Sequence, residues 1–153
     1  MKPKPSLDKF GALFVRKLRD RMLDDLEKLL RGESKARNDQ KFQSQLSSFT
    51  GEQKQAVRDA VDELIKAGMH DLLFAIQEEA DSNGSFKILV DGQEVAKLSD
   101  GLHGEIFGDE GWIVRFSKHP CPSEIEGSKR AREFIANWMK VRPPGLGEQP
   151  ESK

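Results

Sequence analysis

The chain has no tyrosine, a single cysteine, and aromatic residues at only 7% of its 153 positions. The first absence removes phenol acid–base chemistry from the possible activities. The second excludes an internal disulfide framework, because Cys121 has no second cysteine to pair with. No apolar run approaches the roughly 20 residues that a membrane-spanning helix needs. The opening MKPKPSLDKF also lacks the apolar core of a signal peptide. A soluble, cytoplasmic chain without membrane contact is the expectation. Also missing are the phosphate-cradling glycine loop, the dinucleotide fingerprint, the serine elbow and the His-Glu helix pair of zinc hydrolases.

What is present suffices for one core. Apolar residues make up 36% of the chain, and a domain of this length buries roughly two-thirds of the surface its unfolded chain exposes. A single α+β domain is expected over residues 1–142, with a disordered tail at 143–153 beyond Pro143-Pro144. Net charge is −1, unevenly spread: residues 1–49 carry 12 basic and 7 acidic side chains, 50–110 carry 5 and 14, and 111–153 carry 8 and 5. Basic flanks lying over an acidic middle explain this most simply. An acidic surface that meets a basic partner is the sharper alternative.

The strongest periodic signal starts at Thr50. With Gln53 three residues on, it forms a capping-box pair, after which Val57, Val61, Leu64, Ile65, Leu72, Leu73 and Ile76 recur at steps of three and four. This predicts one amphipathic helix over residues 50–83, in which Gly68 admits a neighbouring backbone. Phe10, Leu13, Phe14, Leu18, Met22, Leu26, Leu29 and Leu30 predict an earlier helix over residues 7–31, about 36 Å long and closed by Gly32. Leu13, Val15 and Leu23 lie beside its main stripe, and this surplus points to a two-fold homodimer through the first helix. The competing arrangement folds residues 32–49 back, so that Phe42 and Leu46 cover Val15 and Leu23 in a monomer. Arg16, Lys17, Arg19 and Arg21 have acidic neighbours at helical spacing, which makes nucleic-acid binding unexpected.

Beyond Gly84 the period changes to two. Asp91-Gly92 predicts a type I′ turn between strands at 86–90 and 93–98, with Phe86, Ile88, Val90 and Val95 facing inward. Residues 105–107 and 112–116 read as a second hairpin around Gly108 to Gly111, with Trp112, Val114 and Phe116 on one face and Ile113 and Arg115 on the other. A final helix is expected to carry Ala131, Phe134, Ile135, Trp138 and Met139. The resulting fold is α+β: two long N-terminal helices, a three- to four-stranded antiparallel meander, and a C-terminal helix packed on the sheet.

Candidate chemistry is sparse. His70 and Asp71 are adjacent on a helix and diverge by about 100°, which excludes a paired dyad. His103 lies in a glycine-flanked loop, and His119 precedes Pro120-Cys121-Pro122. The intervals between the histidines match no metal motif, and Cys121 has no visible device for activating a thiolate. Cys121-Pro122 resembles a haem-responsive dipeptide, a motif of low specificity. Neither metal nor cofactor is expected. His70, Asp71, His103, His119 and Cys121 are the only catalytic candidates, for a small hydrolase or ligand-binding enzyme.

The order of parts carries one resemblance. His70-Asp71-Leu72-Leu73 on a helix, the Asp91-Gly92 hairpin, and Gly111-Trp112 leading into an arginine-bearing strand resemble a group of small bacterial domains of unknown function. Some members are suspected immunity or interaction proteins. The resemblance spans residues 50–118 and implies a non-enzymatic module that binds a protein. It supplies no catalytic residues, and Asp71, Trp112 and Arg115 are the positions to follow for binding.

Overall fold

Residues 5–82, 85–119, 121, 126, 127, 129, 133 and 136 are described by a computed structural model. The Asn83-Gly84 stop, the apolar stripe expected at 131–139 with Trp138, and the tail at 143–153 lie outside those residues.

The chain begins with α1 (Pro5–Phe14), which passes through a π-helical segment (Val15–Arg19) into α2 (Asp20–Arg31). A π-turn closes i→i+5 bonds and accommodates an extra residue, so it resets the phase of the apolar stripe. Leu7, Phe10, Val15, Leu23, Leu26 and Leu30 are buried as a result, whereas Leu13 is 58% exposed and Met22 46%. One uniform 3.6-residue period across 7–31 had placed Leu13 and Met22 inward. Val15 and Leu23 belong to the core of their own chain, so of the three residues that motivated a first-helix dimer only Leu13 stays exposed. Of the expected cover from residues 32–49, Phe42 is 53% exposed, whereas Leu46 packs, partly buried, against the core. The π segment packs instead against α4 and α5, described below. Gly32 caps α2 at φ 73°, with its amide and that of Glu33 donating to Leu29 and Lys28 carbonyls.

After a 3₁₀ turn (Arg37–Asp39), the short α3 (Gln40–Leu46) is latched by the Gln43 side chain. Its amide oxygen accepts from the Ser34 amide at 2.8 Å, and its nitrogen donates to the Ser34 carbonyl at 3.0 Å. The reciprocal Thr50–Gln53 pair then opens α4 (Gly51–Ser82), at 3.2 Å and 2.8 Å. Ile65, Met69 and Leu73 form the buried stripe of α4. Leu64 and Leu72, expected on the same face, are 72% and 48% exposed. Among the described residues nothing lies within 4 Å of the position a Gly68 side chain would take, so none of them brings its backbone against it.

The expected three- to four-stranded meander does not form. The fold is predominantly helical, and among the described residues the one sheet consists of β1 (Leu89–Val90) paired with β2 (Gln93–Glu94). The Asp91-Gly92 turn does adopt positive φ at both positions, 51° and 75°. Val95, however, turns into a 3₁₀ segment (Val95–Leu98), and Phe86 is 46% exposed. The second hairpin is replaced by a 3₁₀ segment (Leu102–Ile106) and α5 (Trp112–Phe116). The reason is burial: Trp112 and Ile113 are both inside, and adjacent residues cannot share one face of a strand. A short apolar run fits either period, and packing selects the helix.

Trp112 sets the junction of α5 with α1. Its indole meets Phe10 edge-on at 5.8 Å between centroids and presses on Gly11, where an added methyl would overlap the indole carbons. Gly11→Ala should therefore destabilise the fold by about 1–3 kcal/mol through overpacking. Gly68→Ala, in open space on α4, should stabilise it by about 1 kcal/mol through helix propensity. Urea unfolding at constant m-value reads both, and equal signs for the two variants would contradict this packing.

Candidate functional site

The sequence candidates separate into two groups on different elements. His70 on α4 and His103 on the 3₁₀ segment come together, with ring centroids 5.1 Å apart. Phe74 stacks on His70 at 6.3 Å and meets His103 at 5.2 Å, and Phe107 closes the group 6.0 Å from His70. Contrary to the sequence expectation, His70 and Asp71 do pair: Nδ1 of His70 is 3.1 Å from Oδ1 of Asp71. Side-chain torsions bring together tips whose Cβ atoms diverge. Asp71 nevertheless stands 83% exposed, where water competes for the contact and weakens it. Nδ1 of His103 is buried with no hydrogen-bond partner among the described residues.

This aromatic group is the edge of a wider open surface. At 100° per residue, the side of α4 turned away from its buried stripe carries Leu64, Ala67, Asp71, Phe74 and Ala75, all exposed, while the exposed Leu72 borders the stripe on the flank away from Phe74. Glu78 and Glu79 follow on the next turn and are also exposed. A cavity of about 340 Å³ adjoins Phe107, lined by Asp100, Glu105, Asp109 and Glu110 among glycines. Apolar area and negative charge therefore share one side of the molecule. Of the three basic residues on α4, Arg58 turns to Glu27 and Lys66 is buried beside Glu63, leaving Lys54.

His119 and Cys121 lie beside the earlier turns of α4, against α2. Nε2 of His119 contacts Asp24 at 3.0 Å, and Sγ of Cys121 is 3.9 Å from Nζ of Lys66. Both line a cavity of about 470 Å³ with Arg19, Glu27, Arg58 and Asp62. No group of three or more metal-ligating side chains assembles among the described residues.

The wall of that cavity is a buried polar network that sequence reasoning missed. Arg19, 1% exposed, donates to both oxygens of Asp62 at 2.7 and 2.8 Å and to Oγ of Ser117 at 2.7 Å. Asp20 accepts from Oγ of Ser117 and from the Lys118 amide. Helical spacing offers Arg19 acidic neighbours on its own helix, a pairing that does hold for Arg21 and Asp25. No spacing in the sequence marks a partner 43 residues away. Arg115 is likewise structural here: it forks onto Asp8 at 3.0 and 2.7 Å and ties α5 to α1. Trp112 is fully buried, so neither residue belongs to the open surface that holds Asp71.

Comparison with protein-family models, curated proteins and solved structures returns no match. Among the described residues no helix is long and apolar enough to cross a membrane.

Arg19→Met should cost about 3 kcal/mol, the low end for breaking a buried pair, since Asp62 keeps 19% exposure. Thermal or urea unfolding would show it, and a loss under 1 kcal/mol would mean that Asp62 is adequately solvated alone. A second expectation concerns acid. The Arg58 hydrogen bond holds the Glu27 carboxyl below its ordinary range, and the Lys118 hydrogen bond does so for Asp24. Depressed folded-state values mean that this stabilisation is present above the unfolded pKa and is lost as pH falls through the folded one. Glu27→Gln should therefore flatten the decline in unfolding midpoint below about pH 5; an unchanged slope would remove Glu27 from the acid transition.

Proposed function

We propose that this protein is a non-enzymatic protein-interaction module, and that its binding surface is the open side of α4 with the adjoining Phe74–His103–Phe107 edge. The observation that carries this reading is the exposure of Leu64, Leu72, Phe74 and Phe107 beside Asp71, Glu78 and Glu79. Contiguous apolar area on a soluble chain marks an interaction site, and a rim of one charge sign selects the partner's sign. The partner chemistry is a basic amphipathic segment, whose apolar stripe lies along α4 and whose cationic flanks meet the acids. The same negative rim disfavours nucleic acid. The resemblance to immunity-like interaction domains points the same way, although the arginine-bearing segment that helped carry it is helical. A cytoplasmic setting accords with the single buried thiol, Cys121.

The approach of His70, Asp71 and His103 favours the hydrolase alternative to a degree. General-base work, however, draws on groups whose surroundings tune their pKa, and the carboxylate in this group is open to water.

A designed helical peptide of alternating leucine and lysine faces, titrated into the full chain, provides the test. Amide resonances of Leu64, Leu72, Phe74 and Phe107 should shift, with affinity falling as salt rises. Leu72→Glu with Phe74→Glu should weaken binding at least tenfold without unfolding a chain in which both side chains are already exposed. Shifts confined to other surfaces would sink the proposal.

A further inference from the structure

The solvent side of the first helix has the chemistry that the α4 surface selects. Leu13, Lys17 and Arg21 recur there at steps of four, flanked by Arg16 and Met22, and all five are exposed. Arg16 donates to the Phe116 carbonyl at 3.4 Å, which leaves its charge without a counter-ion there. Arg21 meets Asp25 at 3.2 Å in an exposed pair, which water keeps weak. On α4, Leu64, Ala67, Asp71, Phe74 and Glu78 are exposed and follow alternating steps of three and four, the spacing with which one helix tracks another. From this match of charge and helical form, we infer that the α4 surface takes a second copy of this chain, presented through the outer side of its first helix. The inference rests on the reading given under Proposed function and names the partner.

The directions of the two faces decide what assembly follows. Arg19 reaches inward to Asp62, and two residues rotate a helix by about 200°, so Lys17 and Arg21 on either side of Arg19 look away from α4. Leu64 and Asp71 follow Asp62 by two and nine positions on α4, which turns them from it by about 200° and about 180°. The basic face and the acidic face therefore point outward in opposite directions, with the Arg19–Asp62 pair between them. Two-fold pairing of either face with itself opposes like charges, and faces that point apart cannot both meet one partner. Unlike charges are joined only head to tail, the first helix of one copy on the α4 of the next. Each such contact leaves one face of each kind open, so assembly continues until a ring closes. The apolar share of the contact is small, which makes the association weak and sensitive to salt.

The test follows the mass of the full chain by sedimentation from micromolar to millimolar concentration. The weight-average mass should climb from the 17.3 kDa monomer to beyond twice that value, and fall back as salt is raised. Two double variants separate the faces: Asp71→Asn with Phe74→Asn on α4, and Leu13→Glu with Lys17→Glu on the first helix. All four positions are exposed, and the changes create no new complementary pair. Each variant alone should stay a monomer, whereas an equimolar mixture should form a 1:1 dimer and stop there, because it holds one intact face of each kind. The first-helix variant should still bind the leucine–lysine peptide, which reports that it is folded with its α4 face intact. A wild-type chain that remains at one copy or halts at two, a variant that assembles alone, or a mixture that stays monomeric would overturn the inference. The peptide separates that failure from failure of the binding surface. A chain that binds the peptide yet remains at one copy rejects the second copy alone, whereas a chain that does not bind it rejects the surface.

Discussion

The structure depends on where Arg19 goes. A guanidinium buried to 1% exposure is tolerable only if its donors are satisfied, and Asp62, Ser117 and the His119 carbonyl satisfy them from two other parts of the chain. That requirement fixes three distances at once: the first helix to α4, the first helix to the segment after α5, and that segment to the α2–α4 groove. The π segment is the backbone's side of the same constraint. Its extra residue shifts the phase between α1 and α2, so that Leu7 and Phe10 before it and Leu23, Leu26 and Leu30 after it face the same core. Buried ion pairs contribute little net stability compared with apolar packing. Their effect here is one of specificity, because an alternative helix register would strand the charge.

The same physics explains which parts of the fold were legible in the sequence. Signals that are local and reciprocal transferred directly: Thr50 with Gln53, Gly32 after α2, and positive φ at Asp91-Gly92. Signals that need a partner did not. The run Trp112 to Phe116 satisfies an alternating pattern as well as a helical one, and only Gly11, about a hundred residues earlier, decides between them by leaving room for the indole. The meander failed for that reason, since β1 and β2 had no second hairpin to pair with. In the candidate site, His70 and Asp71 were visible as residues, but their contact was excluded by reasoning from Cβ directions alone. His103 could not be joined to them without knowing that residues 102–106 pack on α4.

The legibility of α4 has a further lesson. Its apolar residues span more of the helix circumference than one contact requires, and the sequence reading assigned them all to one core. Ile65, Met69 and Leu73 are the buried members, with Val57, Val61 and Ile76 packed partly buried beside them. Leu64 and Leu72 lie to one side, separated from the core stripe by as little as one residue in sequence and by a third of a turn in space. A sequence pattern records that an apolar residue is wanted, and does not record whether the other surface belongs to the same chain or to a partner.

Charge resolves part of that ambiguity. If the open side of α4 were simply unfinished core, its border would be expected to be neutral or mixed. Instead Asp71, Glu78 and Glu79 edge it, and the acids at 100, 105, 109 and 110 continue the same sign around Phe107. Like charges placed this close cost free energy in the isolated domain and return it when cations arrive. The basic excess of the chain lies in the first helix and beyond α5, and much of the former is already committed: Arg19 to Asp62, Arg21 and Lys28 to Asp25, Lys9 to Asp91. A basic partner of the kind proposed would meet the α4 rim with complementary charge.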